Sequence, residues 1–205
     1  PEMEKAIAAA DTPDWYIDSC KKIKYMFPKA HAVAYVTMAL RIAFFKIYHP
    51  LAYYTCYLMR NAESFDGAQM ATGDVDALRS MMEEINDLEK TERERKDGQY
   101  TVLEILVEMN LRGIRLLPVD IYRSQAGTFE IEDGAIRPPI SSLPGIGLNA
   151  AEALVKAREA GPFISQEDML LRKVAKATVE QLRQVGALGD LPATSQVTLF
   201  DFGMV

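Results

Sequence analysis

Two cysteines and two histidines in 205 residues leave this chain short of the ligands from which proteins build metal centres. Cys20 and Cys56 stand far apart and no Cys-x-x-Cys occurs, so the sequence predicts no protein-built zinc site and a reducing, cytoplasmic compartment. No signal-peptide pattern opens the chain and no apolar run approaches the length of a bilayer span, so no membrane partner is expected. Basic charge is also scarce. With 23 Lys and Arg against 29 Asp and Glu, the net charge of −6 argues against coating nucleic acid by bulk electrostatics. Walker and dinucleotide fingerprints are absent, which leaves a metabolic nucleotide-binding enzyme without support.

The charge that is present is unevenly placed. Residues 1 to 60 carry eight Lys or Arg against five Asp or Glu, a net +3, whereas residues 61 to 110 carry five against thirteen, a net −8. The first part can face an anion, and the middle reads as solvated acidic helices pointing away from one. Apolar periodicity predicts a mainly α fold. Helices are expected over Ala30 to Ile47, Leu51 to Met59, Val75 to Arg95 and Thr101 to Arg112, with Pro50 starting the second and Gly113 ending the last. Leu78, Met81, Met82, Ile85 and Leu88 form the apolar side of the third. The period then changes: Leu117 to Tyr122 and Thr128 to Ile131 read as short strands, Asp133-Gly134 as a turn into Ala135-Ile136, and Pro138-Pro139 as a linker.

The most informative stretch is Leu143-Pro144-Gly145-Ile146-Gly147-Leu148-Asn149-Ala150-Ala151, a glycine hairpin opening onto a helix. Two glycines around one apolar residue let the turn take positive φ while Ile146 enters the core and successive N–H groups face outward. The following helix adds unpaired N–H donors and the positive end of its dipole. Such a device grips a phosphodiester without reading sequence, because phosphate contacts position and base contacts specify. Leu143, Ile146, Leu154 and Val155 are spaced to pin two short helices together, and a second helical stretch runs from Lys176 to Val185, the pattern of a helix-hairpin-helix module. Gly145, Ile146, Gly147, Asn149 and Ala150 are the candidate duplex-backbone contacts. Lys156, Arg158, Arg172, Lys173, Lys176 and Arg183 are matched by six acidic residues between 143 and 190, so the grip would depend on directed N–H groups and a local basic face.

Two more stretches carry chemistry. In Phe27-Pro28-Lys29-Ala30-His31-Ala32-Val33-Ala34-Tyr35, His31 and Tyr35 share a helical face and Lys29 sits at its start. Lys29, His31 and the helix dipole suit a polyphosphate, Tyr35 offers a ring to a base or sugar, and Arg41 is a further phosphate candidate. The alternative is a capping His31 and a core Tyr35. Near the end, Gln196-Val197-Thr198-Leu199-Phe200 reads as an extended peptide whose Leu-Phe pair suits an apolar groove on a partner.

With these features in order, the chain resembles the C-terminal part of PolC-type replicative DNA polymerases, the DNA polymerase III alpha subunits of the C family. The resemblance runs through Phe27 to Tyr35, Arg41-Ile42-Ala43-Phe44-Phe45-Lys46, His49-Pro50-Leu51-Ala52-Tyr53-Tyr54 and Leu143 to Gly147, and on to the tail. It implies a fingers subdomain over 1–115 that contacts the incoming deoxynucleoside triphosphate (dNTP), a β-containing connector over 116–142, a duplex-binding helix-hairpin-helix module over 143–191, and a tail over 192–205. Gln196, Val197, Thr198, Leu199 and Phe200 are similar to the family's sliding-clamp pentapeptide, with Val197 in place of Leu and Thr198 in place of Ser or Asp. Nucleotidyl transfer needs two metal ions held by carboxylates, and the resemblance places the Mg2+ ligands in a palm outside this chain. No catalytic residue and no metal ligand is therefore expected here. Asp74-Val75-Asp76 imitates a carboxylate pair but opens a charged helix. The implied partners are primer-template duplex, dNTP, the β sliding clamp and the rest of the polymerase, without which this chain should be inactive. The other reading is a free-standing helix-hairpin-helix adaptor riding on the clamp.

Overall fold

The structure is a computed structural model that describes residues 2–23 and 28–195. It consists of two units, Pro1–Phe44 and Phe45–Val205.

In the first unit, α1 (Glu2–Ala9) lies against α2 (Asp14–Lys22). Asp14 in the first turn of α2 and Lys21 and Lys22 in its last complement the helix dipole. Helix α3 (Lys29–Tyr48) begins here and ends in the second unit; none of its residues is buried. Val33, Tyr35, Leu40, Ile42 and Phe44 are each more than half exposed. Helix α3 has 20 residues and a stretch of 18 within it with a mean hydropathy of 1.3, long and apolar enough to cross a membrane by length and composition alone. This corrects the expectation that no such run exists: Arg41 and Lys46 interrupt the apolar sequence without lowering its mean enough to exclude it.

The second unit holds two cores. Pro50 occupies the first turn of α4 (Pro50–Arg60), where its missing N–H costs nothing. Tyr54 and Leu58 from α4 meet Leu78 and Ile85 of α5 (Val75–Asn86) and Val102, Leu103, Leu106 and Met109 of α7 (Asp97–Leu111). Each buried leucine contributes about 1.5–3 kcal/mol relative to exposure. The acidic stretch expected as one helix over Val75 to Arg95 is two. Helix α5 ends at Asp87, and α6 (Lys90–Arg95) starts after Glu89, whose extended backbone (ψ 149) breaks the helical path. Asn86 and Asp87 favour such a stop because their short polar side chains compete for backbone groups. The Asp74 carboxylate caps α5, accepting from Asp76 N at 2.9 Å and Ala77 N at 3.2 Å, so this Asp-x-Asp is a helix start.

After Gly113 (φ +79) the chain returns to the first core. Strands β1 (Glu130–Glu132) and β2 (Ala135–Arg137) form an antiparallel hairpin about Asp133 and Gly134, with Ile131 opposite Ile136. The strand expected over Leu117 to Tyr122 is absent. Leu116 makes a single parallel bridge to Ile136, then Pro118 supplies no donor and Asp120 folds the chain into a turn by accepting from Tyr122 N at 2.7 Å and Arg123 N at 3.1 Å. Arg137, almost fully buried, locks this segment to the hairpin through Pro118 O at 2.7 Å and a two-pronged pair with Glu132. Pro138 and Pro139 are buried and run straight into a short 3-10 turn at Ile140–Ser142, so they are part of the core instead of a linker.

The second core is built by α8 (Leu148–Arg158), α9 (Gln166–Leu171) and α10 (Lys176–Gln184) around Ile140, Leu143, Ile146, Leu154, Met169, Val179 and Leu182. Gly67 joins the two cores. Its N–H donates to Ser142 O at 2.8 Å, and a Cβ there would lie 2.2 Å from Ser142 Oγ, so only glycine allows this approach to the turn that leads into the glycine hairpin.

Candidate nucleic-acid interface

The hairpin at Leu143 to Gly147 has the geometry its glycines suggest. Gly145 takes φ +76, Ile146 is 3% exposed and donates its N–H to Leu143 O, and Gly147 caps α8 from an extended backbone with no side-chain cap. Gly147 N–H, Leu148 N–H and Asn149 N–H make no backbone hydrogen bond among the described residues, and all three residues are exposed. Ala150 and Ala151 both donate to Gly147 O at 3.0 Å. Of the five residues expected at the duplex, Gly145, Gly147 and Asn149 therefore line the open end. Ile146 supports it from the core, and Ala150 has its N–H engaged.

A second copy of this arrangement lies twenty-eight residues on, and sequence reading missed it. Lys173 (φ +68) matches Gly145, buried Val174 matches Ile146, and extended Ala175 at the cap of α10 matches Gly147. Val179 and Leu182 then repeat the buried Ala151 and Leu154. The N-terminus of α10 also lacks a side-chain cap, and Lys176 and Ala177 are exposed there. The signal was a repeated apolar spacing; it was hidden because a lysine holds the left-handed position that glycine usually takes.

The third helix of the module differs. At α9, Gln166 N donates to Pro192 O (2.8 Å), Glu167 N to Ala193 O (3.1 Å) and Asp168 N to Ser165 Oγ (3.0 Å). Its three leading donors are satisfied within the chain, so of the module's three helices α8 and α10 are the two with open N-termini.

The six cations of the module divide in the same way. Arg158 is turned inward, bonding Ile121 O at 2.9 Å and Ser124 O at 2.7 Å. Arg172 stacks over Phe163 (5.0 Å) and bonds Asp168 and Gly161 O. Burial alone would raise the Asp168 carboxyl, but the Ile164 N–H and Arg172 hold it below the ordinary range. Arg183 forks onto Glu180 at 2.7 and 2.8 Å. Lys156, Lys173 and Lys176 are exposed and make no ion pair among the described residues. Lys156 lies on the α8 stripe that includes Asn149 and Glu152.

Of the residues expected at a nucleotide, all four lie on α3 and are exposed, and the structure brings two together: the His31 and Tyr35 rings are 4.4 Å apart, tilted by 56°. Lys29 is the first residue of the helix, and about 100° per residue turns Lys29 and Arg41 away from the His31-Tyr35 face. The Arg41 guanidinium rests 3.9 Å from Met38 Sδ. Gln196 to Phe200, the expected clamp peptide, lie outside the described residues. Among the described residues no group of three His, Cys, Asp or Glu side chains could hold a metal ion.

A helix-hairpin-helix motif family matches residues 113–197. Over 97% of its length the chain is 47% identical to a DNA polymerase III PolC-type of Clostridium perfringens and 44% identical to one of Thermotoga maritima; over 98% it is 48% identical to one of Bacillus subtilis. In each case it spans 14% of the relative's length.

Proposed function

We infer, for a chain that belongs to the PolC-type DNA polymerase III family as a segment of it, that it serves a DNA-directed DNA polymerase by holding the primer-template duplex without reading its sequence. The observation that carries this is the pair of uncapped helix N-termini, α8 and α10, each preceded by a left-handed residue over a buried aliphatic one. Directed N–H groups of this kind match phosphate oxygens, and Lys173 and Lys176 add charge at the second hairpin.

The finer assignments extend this reading. His31 and Tyr35 would meet the base or sugar of the incoming dNTP, and Lys29 and Arg41 its phosphates. Gln196 to Phe200 would engage the sliding clamp. The Mg2+ ions of nucleotidyl transfer would be held by carboxylates elsewhere in the longer polypeptide, and the Asp74 carboxylate here caps α5 instead. The bare apolar surface of α3 would be covered by that same remainder. A bilayer is the poorer cover, because Arg41 near the helix centre would cost about 2.5–3.5 kcal/mol there. A free-standing clamp adaptor leaves the Phe27 to Tyr35 stretch, which falls within the 97% match, without a purpose.

Steady-state kinetics and duplex titration on the full-length polymerase test the reading together. Lys29→Ala should raise KM for dNTP or lower kcat, and Gly147→Asp should weaken primer-template binding at unchanged dNTP KM. Wild-type values for both variants would overturn it.

A further inference from the structure

Arg172 stands one residue before the second hairpin and spends its whole guanidinium inside the chain. The group carries five N–H donors in a rigid fork. Nε donates to Asp168 Oδ1 at 3.0 Å, Nη1 to Gly161 O at 2.7 Å and Ala157 O at 3.5 Å, and Nη2 to Pro162 O at 3.1 Å and Asp168 Oδ2 at 2.8 Å. All five are used, and the guanidinium carbon lies 5.0 Å from the centre of the Phe163 ring, itself 4% exposed. Asp168 is fixed in turn, accepting from Ile164 N at 3.1 Å and donating its own N–H to Ser165 Oγ.

These partners lie on both sides of the module. Ala157 belongs to the last turn of α8, Gly161 and Pro162 to the segment that leaves it, and Asp168 to α9. Arg172 closes α9, and the next residue, Lys173, makes the left-handed turn of the second hairpin, with Lys173 N bonded to Leu170 O and Val174 N to Met169 O, both at 3.0 Å. The first hairpin opens onto the other end of α8, whose 11 residues span about 16 Å. Helix α8 is thus a rod with the first hairpin at its start and, at its far end, a guanidinium covalently one residue from the second. Met169 is the one buried residue of the six in α9, so apolar packing does little of this work.

We propose that Arg172 is a positioning residue that locks the second hairpin to the far end of α8, so that both hairpins meet one duplex backbone at a set spacing. This rests on the reading of the two hairpins as duplex contacts. Two contacts held at a matching spacing bind far more tightly than either alone, and the gain is lost when geometry forbids both at once. Without the lock the first hairpin grips by itself, and Lys173 and Lys176 no longer release counterions although neither has been changed.

The test is a salt titration of primer-template binding by the full-length polymerase, read as the change in log-log slope from wild type. Lys173→Gln combined with Lys176→Gln should flatten the slope by about 1.8. Arg172→Lys keeps the charge and loses the fork, and it should flatten the slope by the same amount; adding the two lysine substitutions to it should flatten the slope no further. A wild-type slope in Arg172→Lys would overturn the lock, and so would independent effects that add to about 3.6 in the combined variant. A fall of about 2.7 in Arg172→Lys would overturn it too, because Lys156 would then be lost with the others and Arg172 would serve only to keep the module folded. An unchanged slope in the lysine pair alone would instead remove the second hairpin from the duplex, and the functional reading would fail ahead of any role for Arg172.

Discussion

Gly145 and Gly147 stand two residues apart and serve different ends. Gly145 needs its φ of +76, where a Cβ costs about 1–2 kcal/mol. Gly147 has φ −74, open to any residue, and an added Cβ would meet nothing within 4 Å. Within the chain alone, then, Gly147 has no steric reason to be glycine, and the proposed function supplies one in the approach of a phosphate. Gly145→Ala should lower stability by about 1 kcal/mol or more. Gly147→Ala should stay folded, losing no more than about 1 kcal/mol of capping preference, yet bind primer-template more weakly because its Cβ stands where a phosphate must come. Thermal melts and duplex titrations on the same samples check both, and wild-type duplex affinity in folded Gly147→Ala would remove this hairpin from the interface. The residue pattern made the first hairpin legible because glycine advertises left-handed backbone. Lys173 performs the same turn under another name, so only coordinates disclosed the second.

At the scale of elements, the C-terminal turn of α3 is tied to α7 by a compact polar group under the first core. Lys46 donates to Glu108 at 2.7 Å and sits 5.3 Å from the Tyr53 ring centre, while Arg112 pairs with the other Glu108 oxygen at 2.8 Å. Burial pushes the Glu108 carboxyl up, but the hydrogen bond and charge of Lys46, followed by Arg112, hold it below the usual glutamate range. Beside it the Tyr54 hydroxyl is buried and makes no well-formed hydrogen bond among the described residues, and burial, then the Glu108 charge, push it up to about 12. A raised folded-state value gives stability that is complete below the unfolded tyrosine value of 10.0 and is lost as pH rises toward about 12. At about 1.4 kcal/mol per unit the ceiling is about 3 kcal/mol. Tyr54→Phe should therefore be at least as stable as wild type near neutrality and lose less stability between pH 9 and 11. Urea melts at those two pH values check it, and equal losses would show that Tyr54 does not ionise on unfolding. Periodicity and proline placement made α3, α4 and α7 readable because their apolar spacing and breakers agree. The division of α5 from α6 turned on the local polarity of Asn86 and Asp87 within a continuous amphipathic pattern. The missing strand turned on Pro118 and Asp120 inside an apolar run, where local turn chemistry overrode the alternation.

For the whole molecule the proposed duplex grip has to work in a chain of net charge −6. Counting cations in the module suggests six phosphate contacts, but the structure consumes three of them: Arg158 and Arg172 on backbone carbonyls, and Arg183 on Glu180. Lys156, Lys173 and Lys176 remain, and the other contacts are neutral N–H groups, which release no counterion when a phosphate arrives. Duplex binding by this chain should then depend on salt with a log-log slope of about −2.7, against about −5.4 if all six cations were neutralised by phosphate. Single alanine substitutions at the three lysines should each flatten the slope by about 1. Arg158→Ala should leave the slope unchanged and appear instead as lost stability, because its partners are the carbonyls of Ile121 and Ser124. Titrations of a labelled primer-template across a salt series decide between these pictures. A slope near the steeper value would mean that duplex binding pulls Arg158, Arg172 and Arg183 from their partners, making the grip an electrostatic one after all; a slope near the shallower value leaves the backbone amides of the two hairpins as its main source.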